Sequence, residues 1–148
     1  MNHTPFGAAT RASLLACAAL SAISTGHAAN GSWSGTTSPG LWSAAANWTG
    51  GTVADGAGNT GNFSNVDLPD GFFTVSLDTP RTLGSLTFGD TNAATAGSWL
   101  IDNNLDSLNV LTLSGTPVLT VNALGTNAQA EISAVVAGTE NLSKAGVG

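Results

Sequence analysis

Beyond residue 28 the sequence contains no cysteine, no histidine and no tyrosine, and its basic residues there are Arg81 and Lys144, against nine Asp and Glu. This part therefore cannot form a disulfide or a Cys/His zinc site, and it lacks most of the nucleophiles and bases of enzymes. The scarcity of positive charge argues against binding to nucleic acid or anionic lipid, because both need Lys or Arg to neutralise phosphates. We expect no cofactor and no metal site.

The first 28 residues resemble a secretory signal peptide. Arg11 precedes an apolar run over residues 12–23, and small residues flank His27 up to Ala28. This order predicts a signal over residues 1–28, and the run is too short for a bilayer, which needs about 20 residues. Acylation at Cys17, as in a lipoprotein, is the weaker alternative because this cysteine lies inside the run. We therefore expect an exported chain without a membrane span in this segment.

The composition after the signal favours an all-β fold. Charged residues make up 8% of the sequence, where about 25% is usual. The hydrophobic content of 42% argues against disorder. Apolar residues alternate with polar ones in short runs that Gly, Asn, Asp and Pro separate. The alternation predicts inward side chains at Phe73, Val75, Leu77, Leu86, Phe88, Trp99, Ile101, Leu111, Leu113, Leu119, Val121, Ile132, Ala134 and Val136.

Two architectures fit these strands, a right-handed parallel β-helix and a β-sandwich. A sandwich needs tight hairpins, but the Asp-Gly dipeptide at residues 70–71 precedes the first clear strand instead of joining two. A solenoid tolerates loops of varied length with polar corners. The parallel β-helix is therefore the favoured prediction, with residues 29–70 as a Trp- and Gly-rich N-terminal cap and residues 71–148 as solenoid strands. The residues Ser-Gly-Thr-Pro at 114–117 are predicted to separate two of these strands.

Three sequence elements resemble bacterial proteins with autotransporter-associated β-strand repeats. They are Asn-Trp-Thr-Gly-Gly at residues 47–51, the stretch at residues 78–89 that ends in Gly-Ser-Leu-Thr-Phe-Gly, and the last residues, 138–148. They occur in the order of that family and extend over most of the exported part. Glu140 and Asn141 depart from the glycines that the family prefers, and Ser143 from its threonine.

The resemblance implies that the chain is the N-terminal portion of a longer surface protein, and that it stops as the first repeat begins. Further solenoid repeats would follow in the parent chain, with a membrane-embedded β-barrel or a sorting anchor at its end. Glycans or neighbouring cell surfaces would be external partners. The implied role is structural or adhesive and not catalytic, at the cell surface or outside the cell.

Trp33, Trp42 and Trp48 are the candidate ligand-binding residues, because flat aromatic rings near Asn and Asp suit the face of a sugar. The favoured interpretation is instead that they cap the open end of the β-helix and bury its first coil. These alternatives define a carbohydrate-binding module as the rival to a structural role.

Carboxylates provide two weaker candidate sites. Residues 102–106 (Asp-Asn-Asn-Leu-Asp) offer oxygen ligands for calcium but lack the glycine and distal Glu of the twelve-residue calcium loop, which favours a solvated turn. The pairs Asp67 with Asp70 and Glu131 with Glu140 are candidates for acid and base work on a glycosidic bond. A polysaccharide-degrading β-helix is therefore the least favoured function, since Lys and Arg to hold a polyanion are scarce.

Overall fold

A computed structural model of the chain describes residues 28–148. The predicted signal peptide, residues 1–28, lies outside the described residues except for its last position. Ten strands and two short 3-10 helices, at Ala45–Asn47 and Thr49–Gly51, form the described part. The strands are β1 (Gly31–Ser32), β2 (Gly40–Leu41), β3 (Gly56–Phe63), β4 (Gly71–Ser76), β5 (Arg81–Phe88), β6 (Gly97–Asp102), β7 (Val110–Val121), β8 (Ala130–Ile132), β9 (Val135–Ala137) and β10 (Ser143–Ala145).

The strands form two parallel sheets. The larger sheet has the order β1, β3, β5, β7, β10, with β9 also pairing with β7, and the smaller sheet has the order β2, β4, β6, β8. Up to β8, successive strands alternate between the two sheets, so each coil of the chain adds one strand to each sheet. The result is a parallel β-solenoid of about 4 turns. The predicted parallel β-helix is confirmed, and the sandwich is excluded because every pairing between these strands is parallel.

The registers stack inward side chains into columns between the sheets. In the larger sheet Phe63 pairs with Phe88, and their rings stack with centroids 5.5 Å apart. In the smaller sheet Val75 lies next to Ile101 in the following coil. These columns form a single core, and burial confirms the inward prediction for Phe73, Val75, Leu77, Leu86, Phe88, Trp99, Ile101, Leu111, Leu113 and Ala134.

Two strand boundaries differ from the prediction. Residues 114–117 do not separate two strands, because β7 continues through them as a bulge between Leu113 and Val118. Conversely, residues 132–136 are not one strand, since the chain leaves the smaller sheet after Ile132 and enters the larger one at Val135. Val136 lies in register with the buried Leu111, on the inward face as predicted, but it is 44% exposed because no described strand covers β9. Turn residues within a run can form a bulge without ending the pairing, and alternation alone does not reveal a change of sheet.

The larger sheet changes register at the same height in successive coils. The shift lies between Gly56 and Thr60 on β3, opposite Gly84 on β5, and the bulge of β7 lies on the other side of Gly84. A Cβ atom on Gly84 would lie only 2.5 Å from the Cα atom of Gly58. The absence of a side chain at Gly84 therefore lets the coils approach closely at this line.

Candidate functional site

The three N-terminal tryptophans form one buried aromatic cluster above the first coils. Trp33 and Trp42 are 0% exposed and Trp48 is 2% exposed. The ring centroids of Trp33 and Trp48 are 5.2 Å apart in an edge-to-face arrangement, and those of Trp42 and Trp48 are 5.3 Å apart. All three pack against Phe63 at 5.2–5.8 Å. The cluster thus begins the core column that continues through the strands.

Each indole N–H of the cluster donates a hydrogen bond to a main-chain oxygen. Trp33 donates to Gly35 at 3.1 Å, Trp42 to Ala54 at 3.0 Å and Trp48 to the oxygen of Trp42 at 2.7 Å. A buried indole needs such a partner, because an unpaired buried donor destabilises the fold. The hydrogen bonds fix the rings to the loops of the cap.

The cap also covers the first edge of the larger sheet. The segment 48–55 runs antiparallel to residues 29–33, with bridges between Ala29 and Asp55 and between Trp33 and Trp48. Gly31 on β1 lies so close to this segment that an added Cβ would be 2.6 Å from the nitrogen of Ala54. The N-terminal end of this sheet is therefore closed.

Burial of the indoles argues against the sugar platform, which was the weaker of the two interpretations. A platform has to present a ring face to solvent, whereas Trp33, Trp42 and Trp48 have almost no exposed surface. The arrangement matches the capping alternative instead. Among the described residues, Phe72 is the one aromatic side chain with large exposure, 50%, and it lies on the outer face of β4.

The calcium candidate at residues 102–106 forms a hydrogen-bonded loop. A side-chain oxygen of Asp102 accepts the N–H of Asn104 at 3.0 Å, and one of Asp106 accepts the N–H of Leu108 at 2.9 Å. The side chain of Asn109 donates to the main-chain oxygen of Asn103 at 3.1 Å. In the part of the chain that the structure describes, no group of three His, Cys, Asp or Glu side chains is placed to hold a metal.

The carboxylate pairs take part in local hydrogen bonds. Asp70 accepts an amide hydrogen bond from the neighbouring coil at 2.8 Å, and Glu131 accepts one from a glutamine side chain at 3.1 Å. Glu140 is fully exposed, and its pKa is lowered because main-chain N–H groups, first that of Thr139, donate to its carboxylate. Asp67 is exposed at the corner before β4. Asp70 and Glu140 thus take part in hydrogen bonds at turns, and Glu131 takes part in one on strand β8.

One of the two basic residues in the described part of the chain, Arg81, forms an ion pair. Arg81 donates to a carboxylate oxygen of Asp55 at 3.0 Å, and the exposed fractions of the two side chains are 13% and 25%. The other oxygen of Asp55 accepts the main-chain N–H groups of Gly56 at 2.9 Å and Thr82 at 3.2 Å. Asp55 thus ties the cap segment to the start of β5, and Arg81 offers little surface for an anionic ligand.

The outer face of the larger sheet carries short uncharged side chains in register. Thr60 lies beside Ser85, and Asn62 lies beside Thr87, which lies beside Thr120. These side chains are partly exposed. Neighbouring strands in a sheet are about 4.8 Å apart. The face therefore presents a polar surface without charge at these positions.

The C-terminal end of the solenoid has no cap among the described residues. β8 pairs only with β6, and β9 and β10 pair only with β7, so each leaves one edge free. Exposed apolar side chains surround this end, namely Val135, Val136, Leu142 and Val147. A shallow groove there is lined by Leu113, Pro117, Val136 and Leu142 among others. The two ends of the molecule are thus built differently.

Comparison of the chain with known proteins does not assign it to a family or a function. No protein-family model matches the chain, and no curated protein or solved structure is significantly similar to it. Within residues 28–148, the helices are all too short to cross a membrane.

Proposed function

We propose that this chain is the capped N-terminal segment of an exported, non-catalytic β-solenoid whose role is structural or adhesive. The observation that carries the proposal is the contrast between the two ends. One end is closed by buried tryptophans, whereas the other exposes three strand edges and the apolar residues around them. In repeat proteins a terminal cap closes the core, and the opposite end is covered by the next repeat.

Further coils of a parent chain are the partner that this proposal assigns to the open end. The elements shared with autotransporter-associated repeats have fitting places in the fold. In residues 47–51, Trp48 is buried and Gly50 and Gly51 adopt positive φ values of 66° and 72°. In residues 84–89, Leu86 and Phe88 point into the core. These placements support a structural role for the shared residues, and the proposal of a location at the cell surface or outside the cell rests on the predicted signal peptide and on the resemblance.

The charges support a role without polyanionic partners. Arg81 is engaged with Asp55, which leaves Lys144 as the basic side chain outside an ion pair in the described part. The chain carries a net charge of −6. Nucleic acid and anionic lipid would be repelled, so uncharged glycans or neighbouring protein surfaces are the partners that the proposal retains.

A carbohydrate-binding module is the second candidate, and it now depends on a different residue. Phe72 is half exposed on the outer face of the smaller sheet and is flanked on its strand by Thr74, which is partly exposed. Under this alternative, Phe72→Ala abolishes binding on a glycan array while the fold is retained. Thr74→Ala, on the same face, would weaken binding less. Unchanged binding in Phe72→Ala would exclude this surface.

The coding sequence downstream of the Gly148 codon tests the main proposal. Further β-strand repeats that end in a β-barrel or a sorting anchor are the expected result. A stop codon directly after Gly148 would contradict the role as a segment of a longer solenoid. In that case binding through the outer faces would become the hypothesis to test. Hydrolysis of a polysaccharide, lost in a Glu131→Gln or Asp70→Asn variant, would instead establish the enzymatic alternative.

A further inference from the structure

The loop at residues 103–109, between β6 and β7, presents two leucines to solvent. Leu105 is fully exposed and Leu108 is 74% exposed. The loops at the same corner of the two neighbouring coils are residues 77–80 and residues 133–134, so this loop is the longest of the three. Both of its strands have neighbours on either side. The two leucines therefore lie on the side of the solenoid, away from its ends, and the neighbouring coils leave them uncovered.

The backbone of this loop holds Leu105 in an unusual conformation. Its φ is 62°, and that of Asn104 is 50°. The left-handed region suits glycine and, less well, asparagine, but it brings the Cβ atom of other residues close to the following carbonyl oxygen. Asn127 is the third non-glycine residue with a positive φ in the described part of the chain. Leu105 is thus the apolar exception, and its exposed side chain gains no burial to offset the strain.

Hydrogen bonds within the loop maintain this conformation. The carboxylate of Asp102 accepts the N–H of Asn104 at 3.0 Å, which fixes the residue before Leu105. The carboxylate of Asp106 accepts the N–H of Leu108 at 2.9 Å. The positions of the two leucines are therefore set before any partner binds, which lowers the entropy that binding has to overcome.

We propose that Leu105 and Leu108 form a docking surface for a partner protein that has an apolar pocket edged by Lys or Arg. Burial in such a pocket would give each leucine the apolar contacts that it lacks in solvent. Strained backbone is retained at ligand contacts because it presets a geometry that binding uses. The strain at Leu105 is thus explained by a contact outside the chain.

The charges around the leucines define the partner further. Asp102 and Asp106 flank Leu105 in the sequence, and the chain has a net charge of −6. Lys or Arg at the rim of the pocket would complement these charges and speed the encounter. A second copy cannot supply this rim, because Arg81 is held by an ion pair and Lys144 is the remaining basic residue in the described part. A bilayer is disfavoured, since insertion of both leucines would carry the carboxylate of Asp106 out of water.

Selection from a phage-displayed library of random peptides against the full chain tests the inference. We expect the selected peptides to combine apolar residues with Lys or Arg. Their affinity should fall about tenfold to a hundredfold for Leu105→Asn, the factor that burial of one leucine provides, and similarly for Leu108→Ser. The matched control is Leu142→Asn, the same change at a half-exposed leucine between β9 and β10. It should bind the peptides like the original chain, and all variants share residues 1–27.

Thermal unfolding separates a binding role from a structural one. Leu105→Asn should leave the midpoint unchanged or raise it, because asparagine tolerates the left-handed region better than leucine does. Asp106→Asn retains an acceptor for the N–H of Leu108 but removes the charge, so it should weaken binding severalfold and reduce its dependence on salt.

A lower midpoint in Leu105→Asn would overturn the inference, because the leucine would then serve the fold. Selected peptides that bind the original chain and Leu105→Asn equally well would also overturn it, as would a selection that yields no binding peptide. The inference rests on the adhesive part of the proposed function, but its test uses the purified chain. Its failure would leave the role as a solenoid segment intact, and a stop codon directly after Gly148 would leave this surface intact.

Discussion

The indole nitrogen of Trp48 donates a hydrogen bond to the main-chain oxygen of Trp42 across 2.7 Å, and both rings are buried. The bond joins the loop after β2 to the segment that covers the first sheet edge. Their ring centroids are 5.3 Å apart, so packing and hydrogen bonding act on the same pair. The pair thus closes the N-terminal end instead of presenting a ligand surface.

Replacement of Trp42 by alanine should destabilise the protein by about 3–5 kcal/mol, because it opens a cavity in the core. It also leaves the main-chain oxygen of Ala54 without its indole donor. Urea unfolding followed by tryptophan fluorescence measures the change. Phe72→Ala is the control, since this ring is half exposed, and its effect should stay below about 1 kcal/mol. Equal effects of the two changes would contradict the capping role.

Gly84→Ala should destabilise the protein by about 1–3 kcal/mol through overpacking. The added methyl group would meet the backbone of Gly58, which cannot move aside as a flexible side chain would. The adjacent Ser85→Ala, on a partly exposed side chain, should change stability by less than about 0.5 kcal/mol. Thermal unfolding of both variants provides the comparison. A neutral Gly84→Ala would show that the coils are not in close contact at this line.

Asp55→Ala should be more damaging than Arg81→Met. Loss of the carboxylate leaves the N–H of Thr82 and the guanidinium of Arg81 without their acceptor, at a cost of about 1–3 kcal/mol. Methionine retains the apolar stem at position 81 and removes the charge, so its effect should be smaller. Chemical unfolding of the single and double variants gives the coupling energy. A larger loss in Arg81→Met than in Asp55→Ala would contradict this role of Asp55.

The exposed carboxylate of Glu140 should titrate below its ordinary value of 4.5. The main-chain N–H of Thr139, among others, favours its charged form. A lowered pKa in the folded state means that the stabilisation is present above the ordinary pKa and is lost as the pH falls through the lowered value. In an NMR titration the amide signal of Thr139 should follow this pKa, and Glu140→Gln should abolish the effect. A value at or above 4.5 would contradict the hydrogen bonds.

Much of the fold was predictable because the alternation of apolar residues directly reports one buried face of a strand. Phe73 and Val75 or Leu86 and Phe88 could be assigned to the core from their spacing alone. The bulge at residues 114–117 could not, since its turn residues look the same whether or not the strand resumes in the same sheet. The change of sheet between Ile132 and Val135 was likewise hidden by a regular pattern.

The role of the three tryptophans could likewise be predicted only in part from the sequence. Tryptophan content predicted either a sugar platform or a cap, and only the placement of the segment 48–55 over residues 29–33 distinguishes them. The position of Lys144 above Leu119 depends on a register between strands that are distant in sequence. The residues next to Lys144 in the sequence do not reveal that it lies beside Leu119.

Amide hydrogen exchange across the described residues tests the central claim most directly. A solenoid that is closed at its N-terminal end and open at the other should protect β5 most strongly, because it is the middle strand of the larger sheet. The amides of β9 and β10 should exchange much faster, and β3 should remain protected beneath the cap. Protection of β9 and β10 equal to that of β5, with rapid exchange around Trp33 and Trp48, would contradict the account.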